Sequence, residues 1–198
     1  MVYRQYNSVE SEAVINFDSD NDWKSWKRRY NNGQISERGI YIDGKLSGKY
    51  ERWYNNGQLL EYCFYVDGNM NGEYKRFYKS GPLSEHSFYI DGKLDGEYKR
   101  FYKSGQVSEH VFYIDGKLDG ECKKWHENGH LRTSSFYIQG NKNGEYINWY
   151  NNGYLSSNCL YIDGKLDGEY KSWYDNGHMS RHVFYENGKI IGRIDIMS

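Results

Sequence analysis

Every 24 residues the chain repeats itself, with units opening at Tyr41, Tyr65, Tyr89, Tyr113, Tyr137 and Tyr161 and a partial seventh at Tyr185. No unit gains or loses a residue, so each stacks on its neighbour in one geometry. Such an array is quasi-one-dimensional: its core grows as a line rather than a sphere. This constrains architecture strongly and biological task weakly. No reaction is written in the repeat.

Composition matters here because it is ambiguous without the repeat. Only 37% of the 198 residues are hydrophobic, and mean hydropathy is -0.99, values that suggest disorder. The 18% aromatic content and 22 Tyr argue the opposite, because disordered chains are poor in aromatics. A tyrosine ring packs while its hydroxyl stays wet. With 26 basic and 27 acidic residues the net charge is -1. The basic stripe of a nucleic-acid binder and the polybasic run of a membrane-surface protein are both missing. Lys27, Arg28 and Arg29 form the longest basic cluster. Met1 to Phe17 lacks a signal-type apolar core, and no run of residues suits a transmembrane helix. An intracellular, cytoplasmic protein is expected. Cys63 and Cys159 share a column four units apart, roughly 38 Å at ~4.8 Å per strand, too far for a disulfide. Together with Cys122 they read as reduced structural thiols.

Glycine marks three columns. The first (Gly44, Gly68, Gly92, Gly116, Gly140, Gly164, Gly188) usually follows Asp, and Asp-Gly signals a tight primed hairpin turn needing positive φ. The second, as in Asn55-Asn56-Gly57, marks the other turn. The third (Gly48, Gly72, Gly96, Gly120, Gly144, Gly168, Gly192) lies near a strand start, where glycine implies a bulge or a neighbouring ring packed closely. Two turns per unit give two strands per unit, such as Lys93 to Tyr102 and Val107 to Ile114. Strands joined by short turns pair antiparallel. The expected fold is all-β: an elongated, single-layer antiparallel β-meander solenoid of about 14 strands, roughly 65 to 75 Å long.

Register is testable within the sequence. Setting Tyr102 opposite Val107 puts Arg100 opposite Glu109. The same columns hold Arg28 and Glu37, Arg52 and Glu61, and Arg76 and Glu85. Later units change both members, to Lys124 with Thr133, Asn148 with Ser157, and Ser172 with Arg181. Joint change supports contact, since opposite charges across a ladder attract. One face then carries Leu94, Gly96, Tyr98, Arg100 and Tyr102 with Val107, Glu109, Val111 and Tyr113. The other carries Lys93, Asp95, Glu97, Lys99 and Phe101 with Ser108, His110, Phe112 and Ile114. Ile190, Gly192, Ile194 and Ile196 fall in first-face columns, and Arg193 and Asp195 in second-face columns. The Tyr98 face is expected to be the packed one. The tail reads as a terminal cap, and an open last strand leaves edge-to-edge homodimerisation available.

Candidate sites are few. The second face holds an aromatic stripe of Trp53, Phe77, Phe101, Trp125, Trp149 and Trp173, and another of Phe64, Phe88, Phe112, Phe136, Leu160 and Phe184. Two readings stand: packing alone, or packing plus a partner-binding groove, since exposed apolar patches mark interaction sites and Trp dominates hot spots. Asp18, Asp20 and Asp22 alternate like the start of a calcium loop, but Trp23 and Arg29 occupy its required Gly and Glu places. His86, His110 and His182 share a column, as do His130 and His178, with units ~9.6 Å apart, too far to share one zinc. His126 and His130 flank a turn without a third ligand. Asp95, Glu97, Asp119, Glu121, Asp167 and Glu169 recur in nearly every unit, whereas a catalytic carboxylate pair needs one special environment. No catalytic residue, metal site or cofactor is expected.

The pattern Y-x-x-G-x-x-x-G-x-Y-x-x-[FW]-Y-x-x-G-x-[LVM], carried by six in-register copies, resembles the MORN repeat in its variant form of stand-alone bacterial and giant-virus proteins. The resemblance covers Phe17 to Ile196. It implies residues 1–16 as an N-terminal extension, 17–40 as an N-terminal partial repeat or cap, 41–184 as six repeats and 185–198 as a C-terminal partial repeat or cap. It also implies a non-enzymatic scaffold mediating protein–protein interaction through an aromatic and charged sheet groove. Two alternatives come with it. One is a membrane- or phospholipid-associated recruitment module, against which near-neutral charge counts. The other is a partner-neutralising protein like the bacterial members labelled antitoxins.

Overall fold

A computed structural model describes residues 16–17 and 23–196. Asp18, Asp20, Asp22, residues 1–15 and Met197 lie outside the described residues. The chain divides into two compact units, the first ending at Lys93 and the second beginning at Leu94. In the first, the strands Trp23–Arg29, Ile35–Ile42, Gly48–Trp53, Leu59–Val66, Gly72–Phe77 and Leu83–Ile90 pair antiparallel in chain order. In the second, Lys93–Phe101, Val107–Ile114, Lys117–Trp125, Leu131–Ile138, Asn141–Trp149, Leu155–Ile162, Lys165–Trp173, Met179–Glu186 and Lys189–Arg193 do the same. Each unit is the antiparallel meander that the repeat predicts, and no helix occurs among the described residues.

The turns form for the reason their residues suggest. Asp115 and Gly116 have φ of 50° and 78°. Both central positions of a primed two-residue turn need positive φ, which Asp tolerates and Gly adopts freely. From Gly68 onward these turns are tied to the preceding repeat. The Gly116 amide donates to the Leu94 carbonyl at 2.8 Å, and the Asp115 amide to Asp95 Oδ2 at 3.0 Å. The other turn spans three residues. Gly57 N–H donates to Tyr54 O at 2.9 Å, and Tyr54 N–H to Gln58 O at 2.8 Å.

That three-residue turn corrects one expectation. Tyr102 N–H bonds to Gln106 O, so Tyr102 does not face Val107. Val107 pairs with Phe101, and a bulge leaves Ser108 as the extra residue. A one-residue bulge restores the register beyond it. Arg100 therefore still faces Glu109, and Arg28–Glu37, Arg52–Glu61, Arg76–Glu85, Lys124–Thr133, Asn148–Ser157 and Ser172–Arg181 all pair as expected. In the third glycine column, Gly120 serves both functions proposed for it. Gly120 has φ of 107° at a register shift, and a Cβ there would meet the Phe112 side chain at 3.6 Å.

The packed face is the Tyr98 face. One of its columns, Cys63, Ser87, Val111, Ser135, Cys159 and Val183, is buried throughout. Against it stand the tyrosines, whose rings meet edge-on in the hairpins that carry a pair of them, as in Tyr50–Tyr65 and Tyr98–Tyr113 at 5.7 Å between centroids. Volumes compensate across the ladder. Trp26 replaces a tyrosine and faces Gly39, where a Cβ would lie 3.2 Å from the Trp26 ring. Cys122 replaces another and faces Ser135. The three cysteines are free and buried, and burial pushes the Cys63 thiol up to about 11. A thiol held protonated is a poor nucleophile.

The last strand departs from the expected register. Arg193, not Ile194, stands across from Val183, and Gly192 across from Phe184. The earlier glycines of this column, such as Gly168 at φ 100°, form their bulge through positive φ, and Gly192 does not. Without that kink the strand slips by one residue, which exchanges its faces. Ile190, Ile191 and Ile194 are left 47%, 64% and 50% exposed.

Candidate interaction surface

Polar ladders knit the array before any surface is presented. Glu61 faces Arg52 on one side and Arg76 on the other. Its carboxylate meets Arg52 at 3.0 Å and accepts the Tyr74 hydroxyl at 2.9 Å. Glu37 likewise meets Arg28 and accepts from Tyr50. Burial and the acceptor carboxylate raise both phenol pKa values, so these tyrosines stay donors. In the second unit Glu109 pairs with Lys124 at 2.6 Å. Beyond it the ladder is neutral from Thr133 to Ser172, with Thr133 Oγ1 donating to Asn148 Oδ1 and Asn148 Nδ2 to Ser157 Oγ. Because each residue faces two neighbours, loss of one charge strands the next. The joint change seen in the sequence follows from this.

Trp53, Phe77, Phe101, Trp125, Trp149 and Trp173 are all half-buried. Their backbone is also fixed by the preceding repeat. Tyr30 OH donates to Trp53 O, Tyr54 OH to Phe77 O, Tyr102 OH to Trp125 O and Tyr150 OH to Trp173 O, while His126 Nε2 donates to Trp149 O at 3.0 Å. The Arg38 guanidinium covers the Trp53 ring at 5.1 Å.

The most exposed apolar row lies elsewhere on the same face. In the first unit it comprises Ile42, Phe64, Val66 and Ile90. In the second, Phe112, Ile114, Phe136, Ile138, Leu160 and Ile162 are 37% to 58% exposed. The Phe column is the stripe expected from the sequence, and the isoleucine column beside it is an addition. Its signal was available: β-branched residues two positions beyond each Phe share that face. The row is bordered by opposite charges. Ile114 faces Lys117 and Ile162 faces Lys165, whereas Phe112, Phe136 and Leu160 face Glu97, Glu121 and Glu145.

The recurring histidines and carboxylates are mutually satisfied. Glu97 meets Lys99 at 2.7 Å and His110 at 2.9 Å, and Glu169 meets Lys171 at 2.8 Å and His182 at 2.6 Å. Glu73 holds the same set, and hydrogen bonds from Lys75 and Tyr62, with His86 adding to them, bring its carboxyl down to about 2. Each of these three histidines also packs on the neighbouring Phe at 5.0 Å. In the repeat from Tyr137 to Leu160 the Lys and His positions hold Ile147 and Asn158. Among the described residues no group of three or more metal-ligating side chains converges, and no helix is long and apolar enough to cross a membrane.

Fold and surface define a β-repeat array with one knitted face and one apolar, charge-bordered face. The family model of the MORN repeat variant matches residues 46–67, 94–115, 118–139 and 166–187. The chain is a MORN repeat protein, built from a repeat type that is itself non-enzymatic. No curated protein matches it.

Proposed function

We propose that the protein is a non-enzymatic interaction scaffold, and that the row Phe112, Ile114, Phe136, Ile138, Leu160 and Ile162 receives a protein partner. The observation that carries this reading is the exposure of six large apolar side chains in one unit, aligned between lysines and glutamates. Contiguous exposed apolar surface marks interaction sites, and a rim of both signs orients a protein partner. Charges of mixed sign favour a protein over an anionic lipid surface, which attracts cations only. The half-buried Trp row supports the sheet beneath.

The test compares wild-type bait with a Phe136→Ser/Ile138→Ser variant in enrichment from the native host. Both side chains are partly covered, so thermal melts of the two baits check that the variant is folded at the assay temperature. Loss of a specific wild-type partner from the variant supports the reading. Equal recovery by both baits, or flotation with anionic liposomes as the only activity, refutes it.

A further inference from the structure

The last strand, Lys189–Arg193, pairs with Met179–Glu186 on one side. Among the described residues no strand pairs with its other side. An open ladder of backbone donors and acceptors is a template for another strand. The Ile194 amide donates inward to the His182 carbonyl at 3.0 Å. Backbone groups alternate direction along a strand, so those of Arg193 point outward, and extending the strand by two residues turns those of Asp195 outward as well.

We propose that this edge pairs antiparallel with the same edge of a second copy, about a two-fold axis at Ile194. That register sets Arg193 against Asp195 of the second copy, and Asp195 against Arg193. Each pairing carries two backbone hydrogen bonds and one ion pair of opposite charge. Ile194 meets its own counterpart on the other face, where it is half exposed in the single chain. A two-fold interface must be self-complementary, and this segment is: Arg-Ile-Asp read antiparallel against itself matches charge to charge and apolar to apolar. The one-residue slip at Gly192 decides which backbone groups face the open edge, because it places Arg193 across from Val183 and Ile194 on the inward hydrogen bond. A contact of this size is small compared with stable interfaces, so a reversible, concentration-dependent dimer is expected.

Sedimentation velocity on the full chain, from low micromolar to the highest soluble concentration, tests it. The wild type is expected to shift from monomer to dimer. Arg193→Asp alone and Asp195→Arg alone are expected to remain monomeric, each placing like charges together. The double variant restores opposite pairs and is expected to dimerise as the wild type does. Circular dichroism on all four samples checks that each is folded; these exposed terminal positions support no core. A wild type that stays monomeric throughout overturns the proposal. So does a dimer untouched by either single substitution, or a double variant that fails to regain it.

Discussion

Replacing Glu61 with Ala should cost far more than replacing its partner Arg52, although the two form one ion pair. Arg52 is 47% exposed and its guanidinium lies 3.0 Å from Glu61. Its loss removes one solvent-screened pair, about 0.2–1 kcal/mol. Glu61 is 14% exposed, faces arginines on both sides and accepts the Tyr74 hydroxyl at 2.9 Å. Its removal leaves that half-buried hydroxyl without its acceptor, about 1–3 kcal/mol. Arg52 and Arg76 also lose the anion between them. We expect about 2–3 kcal/mol for Glu61→Ala, a fall in thermal midpoint of roughly 4–12 °C, against roughly 0.4–4 °C for Arg52→Ala. Exchanging the pair should not restore stability. Arg52→Glu places a carboxylate opposite Glu37, and Glu61→Arg places a guanidinium opposite Arg76. Thermal melts followed by circular dichroism on the two single variants and the double variant provide the assay. Equal losses for the two single substitutions, or full recovery in the exchanged double variant, would refute the two-sided ladder.

Two further outcomes follow from the same geometry. Gly39→Val should destabilise by about 1–3 kcal/mol, because a Cβ there already lies 3.2 Å from Leu46, Trp26 and Tyr50; adding Trp26→Tyr should recover part of the loss in chemical denaturation. The Glu73 carboxyl, lowered to about 2, contributes stability that is complete above its unfolded value and lost as pH falls through about 2. The thermal midpoint should therefore drop between about pH 5 and pH 2, and Glu73→Gln should flatten that drop.

Much of the fold was legible because its signals are local and repeated. Asp115-Gly116 specifies its turn by φ alone, and the Arg and Glu columns give the correct partners. Three features depended on what a strand meets rather than on what it contains. The bulge at Ser108 follows from a three-residue turn that Lys103-Ser104-Gly105-Gln106 does not distinguish from a four-residue one. The second partner of each ladder residue lies in the next repeat, where within-unit pairing does not look. The slip at Gly192 needs a glycine to forgo the φ that its six counterparts adopt, and identical residues hide that difference. For the surface, the sequence shows aromatic columns but not depth. Trp149 and Ile138 both sit on the second face, and only burial separates the half-buried ring from the 46% exposed isoleucine.

The central claim is that the exposed row, rather than the Trp row, touches the partner. A photo-crosslinking amino acid placed at Ile138 in one sample and at Trp149 in another, irradiated in the native host, tests it directly. The account predicts a discrete crosslinked protein from position 138 and little or none from position 149. A crosslink from position 149 with none from position 138 would contradict it.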